Sequence, residues 1–307
     1  MPQDLPFALY HAFSAGPFGG AAAGIIESTA ELTATTMQSI AREIGAPATA
    51  FLQRVEGSLV DVRFFSTQTE YGMCGHGTVG LVSHLRETGR LAADRGNAGV
   101  TLRTSGGDAV VGIRDVGGET LVMLTLTPSR FEPATPDREA LSRALGIESS
   151  EIDNTLPMEK AVGDFVHLQV PICSLATMQA MAPDFNAIAA LSRANGAHTV
   201  TVFTREVHHG HSKVHCRDFC PAVGTPESPG AGTTNGALTA YMVRHGLIGL
   251  IDGETTVVLS EQGYECGRPS EIRSEVVAVD GQIEHLAVGG YARKSMVGTF
   301  CLSDGDR

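Results

Sequence analysis

The chain has 307 residues, 42% hydrophobic and 18% charged, with a formal charge of −12. That composition suits one large domain or two of about 150 residues and excludes a disordered or low-complexity protein. The acidic balance argues against a nucleic-acid partner, which needs a basic face, and no apolar run reaches the roughly 20 residues that cross a bilayer.

The elements alternate along the chain. LPFALYHAF reads as an opening strand, and SAGPFGGAAAG as a loop punctuated by Pro17 and paired glycines. A helix is predicted from about Thr33, where Met37, Ile40, Ala41 and Ile44 recur at helical spacing and Gly45 supplies a stop. Strands follow at ATAFLQR and VDVRFFS, then a helix from about Gly77 to Thr88 that Gly89 ends. GVTLRTSGGDAVVGIRD reads as strand, turn, strand. Prolines after LVMLTLT mark the border region between two halves, set at residues 1–118 plus 289–307 and residues 119–288. The second half alternates in the same way, with a helix near Asp137–Leu145, strands at VHLQVPICS, HTVTVFTR and KVHCRDF, a helix from Thr233 to His245, and three closing strands.

MPQDLPFALYHAF has neither a basic n-region nor a long apolar core, so a cytoplasmic location is expected. The six cysteines are scattered, which reads as reduced thiols.

Two segments echo each other. GHGTVGLVSHLRETGRL and GAGTTNGALTAYMVRHGLI each begin Gly-x-Gly-Thr, enter a helix and stop at glycine, and Gly230 follows Gly75 by 155 residues. Two similar domains facing each other would put both helix starts at one cleft. The free N–H groups and dipole ends there would seat a carboxylate, with Gly75, Gly77, Gly230, Ala231, Gly232 and Thr233 as the binding backbone. Cys74 stands just before the first helix, where a thiol pKa is commonly lowered, and so is the candidate for moving a proton. Against this stands the habit of free cysteine to pack as a small hydrophobe. His76 is the candidate acid or substrate donor, with helix-start hydrogen bonding as its plainer role. Glu70 and Ser228 are weaker candidates for substrate contact.

No metal is expected. His208, His209, His211, His215 and Cys216 crowd together, but a His-x3-His pair needs a helix, and Gly210 and the strand KVHCRDF break one.

HAFSAGPFGGAAAGII, MQSIAREIGAPATAF, VRFFSTQTEYGMCGHGTVG, RDFCPAVGTPESPGAGTTNGAL and QGYECGRPSEI with VGGYA resemble, in order, the landmarks of phenazine-biosynthesis PhzF-like isomerases. The resemblance covers nearly the whole chain. It implies the diaminopimelate-epimerase-like fold, an α/β (α+β) architecture of two pseudo-symmetric halves, each a curved sheet around a central helix, with the site between them. It further implies a cofactor-independent enzyme, commonly a homodimer, acting on a small carboxylate substrate.

The departures from that pattern matter. Pro47-Ala48-Thr49 stands where the family usually has Ser-Glu-Thr, so the usual proton-shuttling carboxylate is missing. Glu227-Ser228-Pro229 replaces Glu-Asp-Pro, Ala21 replaces an Asn, and Thr233 falls where serine is common. MCGHGT is also similar to the first cysteine motif of proline racemases and hydroxyproline epimerases, whose second cysteine is here Gly230. The resulting expectation is an isomerase in which Cys74 takes a proton and returns it elsewhere on a conjugated system, in a cyclic amino-acid-derived acid such as an alkylproline-type antibiotic precursor. A dehydratase, a racemase or epimerase, and a non-catalytic acid binder remain as alternatives.

Overall fold

The computed structural model describes residues 3–27, 29, 31–91 and 98–302. The chain forms two compact units, Met1–Thr125 with Gly289–Arg307, and Leu126–Val288.

The first unit contains β1 (Gln3–Ala12), β2 (Ala21–Ile26), α1 (Ala34–Ile44), β3 (Ala48–Glu56), β4 (Leu59–Phe65), β5 (Glu70–Tyr71), α2 (Gly75–Glu87), β6 (Ala98–Thr104), β7 (Gly107–Val116) and β8 (Glu119–Thr125). The last strand, Ala292–Leu302, returns to pair antiparallel with β1. From there the sheet runs β1–β2 antiparallel, β2–β3 parallel, β3–β4 antiparallel, β4–β6 parallel, and β6–β7–β8 antiparallel. β5 forms a short antiparallel pair on β4. The sequence pattern places the border at 118/119, but β8 is laddered to β7 through Val111↔Leu124 and Val116↔Glu119 and lies in the first unit.

Local chemistry accounts for the helices. The Thr33 hydroxyl accepts the N–H of Thr36 at the start of α1, and Gly45, at φ 70°, ends it in the left-handed conformation that glycine adopts without cost. α2 is buried continuously from Gly77 to Leu85, the mark of a helix enclosed by its own sheet. It packs against β1, β2, β3, β8 and the last strand.

That enclosure explains β2, whose residues Ala21–Gly24 the sequence pattern assigns to a loop. Alanine and glycine are poor strand formers in isolation. Here they are required small: a Cβ on Gly80 of α2 would come within 3.1 Å of Ala23 Cβ, and one on Gly24 within 3.2 Å of Ile44 and Thr49. Close helix-to-sheet packing overrides the local propensity.

The second unit contains β9 (Arg130–Pro133), α3 (Arg138–Leu145), β10 (Glu159–Val162), β11 (Val166–Pro171), α4 (Leu175–Ala180), α5 (Phe185–Ala194), β12 (Thr199–Thr204), β13 (Val214–Phe219), β14 (Glu227–Ser228), α6 (Gly232–Arg244), β15 (Thr255–Gln262), β16 (Ser270–Val279) and all but the last two residues of β17 (Gln282–Gly290). Its pairings repeat the first unit: β10–β11 antiparallel, β11–β12 parallel, β12–β13 antiparallel, β13–β15 parallel, β15–β16 antiparallel, with β14 a short pair on β13. α6 is buried from Thr234 to Met242 and takes the place of α2. One face of β11–β12–β13 carries Leu168, Val170, Val200, Val202 and Phe219 against α3, α4 and α5. The other presents Phe203, Val214 and Cys216 to α6. Two repeated α/β units, each a mixed sheet around a central helix, are the architecture the resemblance implies.

Candidate active site

In the first unit, β5 delivers the chain to α2 through Gly72 and Met73. Cys74 is the N-cap, extended at φ −142° and ψ 111°, and its side chain makes no capping bond. Its Sγ lies 3.6 Å from Nδ1 and 3.8 Å from Nε2 of His76, in the first turn of the helix. Gly77 permits this arrangement: a Cβ there would stand 3.3 Å from the sulfur and 2.9 Å from the Phe64 ring. Gly75 and His76 are half-buried, Gly77 is buried, and Cys74 is 7% exposed.

The electrostatics correct the sequence expectation of an activated thiolate. Burial pushes the Cys74 thiol up to about 12, although the N–H groups of Gly77 and His76 donate toward it and pull the other way. Desolvation likewise lowers His76 to about 4. The helix start is present, but a few N–H dipoles do not offset the loss of water around sulfur. At neutral pH the pair is therefore a thiol beside an uncharged imidazole, one group holding a proton and one free to accept it.

Glu70 is engaged elsewhere. Its carboxylate is gripped by Arg63 through two bonds, 2.8 Å from Nε and 2.7 Å from Nη2, and the guanidinium holds it below the usual carboxylate range. It fastens β5 to β4 and thereby fixes the approach to Cys74. Ala48, at the position where the family's glutamate is expected, is fully buried and pairs with Ala23.

In the second unit, α6 begins at Gly232 after Ala231, an N-cap with almost the same geometry as Cys74, φ −132° and ψ 118°. Thr78 N–H to Cys74 C=O and Asn235 N–H to Ala231 C=O are matching first-turn bonds. The structural counterpart of Gly75 is thus Gly232 rather than Gly230, and that of Cys74 is Ala231. Of the predicted binding backbone, the Ala231 N–H is already taken by Gln262 Oε1 at 3.3 Å, and the Ser228 carbonyl by Gln262 Nε2 at 2.7 Å. Gly230 is buried, Gly232 half-buried and Thr233 exposed. Thr233 borders a cavity of about 340 Å³ in this unit, shared with Gly236, His167, Phe165 and Arg130.

The motifs do not reveal a buried polar row in the second unit. Asp218 on β13 is 2% exposed and accepts a 2.8 Å hydrogen bond from the Thr234 hydroxyl in the first turn of α6. Burial raises it to about 6 against the pull of the Thr234, Thr199 and Thr201 hydroxyls. Across the strands stand Thr201, paired with Asp218, and Gln169, paired with Thr201. Neither polar atom of the Gln169 amide has a hydrogen-bond partner among the described residues. His167 bonds Thr199 at 2.8 Å and is lowered to about 4, first by burial. The available signal is alternation: HLQ and TVT put polar side chains on the α6-facing side of strands whose other side is apolar, and Asp218 extends that row on β13.

Among the described residues, one group could hold a metal: His208, His215 and Glu265 offer ligand atoms within 4.8 Å of one another. The expectation of none rests on the lack of a helix. No helix forms there, but the group is assembled from a loop, a strand and a second loop.

The sequence profile of the phenazine biosynthesis-like (PhzC-PhzF) proteins matches residues 10–298. The chain is 30% identical over 296 residues to the uncharacterized isomerase YfhB of Bacillus subtilis, covering 96% of this chain and 95% of that protein. It is 26% identical over 298 residues to the trans-2,3-dihydro-3-hydroxyanthranilate isomerase of Pseudomonas chlororaphis, covering 96% and 99%. The crystal structure of the Bacillus anthracis phenazine biosynthesis protein of the PhzF family superposes with a TM-score of 0.86 at 25% identity, covering 98% of this chain and all of that one.

Proposed function

The chain belongs to the phenazine biosynthesis-like PhzC-PhzF family and is an isomerase, and from that premise we propose that it moves a proton, and with it a double bond, within a small carboxylic acid at the start of α2. The observation that carries this reading is the Cys74–His76 pair, sulfur to Nδ1 3.6 Å, at an N-cap whose side chain is free of capping duty.

The burial effects divide the labour. His76, uncharged at neutral pH, accepts a proton from a carbon activated by the substrate carboxylate or by conjugation with it. The electron pair moves into the conjugated system, and the Cys74 thiol supplies a proton to the far carbon. The imidazolium then gives up its proton and sulfur regains one, with both groups exchanging with solvent between turnovers, so the formula is unchanged and only the double bond has shifted. While sulfur is briefly anionic, the N–H groups of His76 and Gly77 already point at it. The sequence pattern assigns proton removal to Cys74; with the thiol near 12, the pair takes the place of a free thiolate.

Proton removal and return from one pair act on one face of the substrate. A two-thiol inversion needs a second sulfur, and the matching N-cap is Ala231, which argues against a racemase. The proposed substrate class, a cyclic amino-acid-like acid, is supported by the name of the hydroxyanthranilate isomerase relative. A role in secondary-metabolite assembly, cofactor-free chemistry, a homodimeric state and a cytoplasmic location complete the proposal.

Proton NMR in D₂O with a panel of unsaturated cyclic amino and carboxylic acids tests it. The expected product has its double bond moved and one deuterium at the new sp³ carbon. Loss of water, or α-deuteration with inversion and no bond migration, would instead establish the dehydratase or the epimerase.

A further inference from the structure

The histidine-rich loop before β13 is organised around one buried carboxylate. Glu261, 1% exposed, accepts the backbone N–H of His208 at 2.8 Å and that of His209 at 2.7 Å. The same side chain receives Nδ1 of His215, itself fully buried, at 3.2 Å. Nε2 of His215 meets Glu265 Oε1 at 2.9 Å. The other Glu265 oxygen is buried without a partner among the described residues, on a side chain only 8% exposed. His208 lies 5.1 Å from His215, ring to ring, and is stacked on Tyr264 at 4.5 Å and 8°.

This is more order than a solvated loop requires, and its pattern is that of a carboxylate–histidine–metal arrangement. With Nδ1–H given to Glu261, the lone pair of His215 Nε2 is directed at the space shared with His208 and Glu265. Glu261 fixes both partners at once, the ring of His215 and the backbone carrying His208. Nε2 and Glu265 Oε1 stand 2.9 Å apart across that space. The ligand atoms spread to 4.8 Å, against an edge of ~3.3 Å for a tetrahedron of zinc-type bonds. His208, the exposed member of the group, is the ligand whose ring would have to turn to close that gap.

We infer that His208, His215 and Glu265 form a binding site for a divalent transition ion of the zinc type, with Glu261 as the positioning carboxylate and water completing the coordination. Two imidazoles and one carboxylate select such an ion over magnesium or calcium, which favour all-oxygen sites. Its role is structural. Glu261 is followed by Gln262, whose amide holds the turn into α6 through the Ser228 carbonyl, the Ala231 N–H and, at 2.7 Å, the Asn235 amide. Gly263, next in line, abuts the Pro229 carbonyl, which a Cβ there would approach to 2.4 Å. An ion on one side of this strand end would brace the helix start on the other, independently of the chemistry proposed at Cys74.

The test uses the tag-free, chelator-stripped full chain, with Zn²⁺ titrated against a chromophoric chelator and Co²⁺ followed by its ligand-field absorption. One equivalent of tight Zn²⁺, an intense visible band for four-coordinate Co²⁺, and a rise in thermal midpoint with Zn²⁺ are expected. Glu261→Gln should weaken binding about 10- to 100-fold, and His209→Ala and His211→Ala should leave it unchanged. Because His215→Ala risks misfolding, the deciding variant is His208→Ala on the exposed loop, which should abolish the Co²⁺ band while the apo circular dichroism stays intact. Failure of the wild type to bind one equivalent, or an unaltered band in both His208→Ala and Glu265→Gln, overturns the inference.

Discussion

Asp218 occupies in the second unit the place that Phe64 holds in the first. Phe64 pairs with Tyr71 and Asp218 with Ser228, each directly after a clamped glutamate, Glu70 or Glu227. Phe64 packs under Gly77 in the first turn of α2, and Asp218 bonds Thr234 in the first turn of α6. One repeat thus supports its helix start with an apolar contact and the other with a buried acid.

The acid has a thermodynamic signature. Its folded pKa of about 6 lies above the ordinary 3.8, so folding favours the protonated form. The stability linked to it is complete below pH 4 and is lost as pH rises through 6, a span worth about 3 kcal/mol. Asp218→Asn keeps the acceptor for Thr234 and removes the titration. Urea midpoints measured from pH 4 to 8 should fall for the wild type across that window and stay flatter for the variant.

The two arginine clamps should separate by burial. Arg63–Glu70 is about a quarter exposed, 26% and 27%, whereas Arg217–Glu227 is 5% and 8% exposed. Glu70→Gln should cost less than about 1 kcal/mol. Glu227→Gln leaves a guanidinium buried against the Met178 carbonyl without its counter-charge, and should cost about 3–5 kcal/mol. Chemical denaturation of the two variants gives both values.

Cys74 should be a sluggish nucleophile despite its position at a helix start. A thiol near 12 is almost wholly protonated at pH 8. Alkylation by iodoacetamide, followed by peptide mass mapping, should label the exposed Cys173 at least about 100-fold faster than Cys74. Equal rates would mean that the thiol is not desolvated.

Gly77→Ala places a methyl group 2.9 Å from the Phe64 ring and 3.3 Å from the sulfur. Overpacking of this kind costs about 1–3 kcal/mol, and Phe64→Leu in the same chain should recover part of the lost thermal stability.

Much of this architecture is legible in the sequence, for physical reasons that can be named. α1 announces itself through its threonine cap, its apolar spacing and Gly45, all local signals. The five ordered motifs carry the fold. β2 is not legible, because its alanines are explained only by the helix that packs on them. The thiol's pKa is misjudged from sequence because a helix start is visible there while desolvation is not. The Gly-x-Gly-Thr echo lies two residues out of register, since matching letters pick out Gly230 and matching caps pick out Gly232. The ligand group at His215 escapes a sequence reading because Glu265 lies 50 residues further on and reaches it only through the parallel pairing of β13 with β15.

The central claim is that the Cys74–His76 pair carries the proton, and deuterium incorporation from D₂O into an accepted substrate measures this most directly. Rapid single-site labelling by the wild type is expected, with losses of at least about 100-fold in both Cys74→Ala and His76→Asn, each variant keeping its thermal midpoint. Labelling at the wild-type rate in either variant would contradict it.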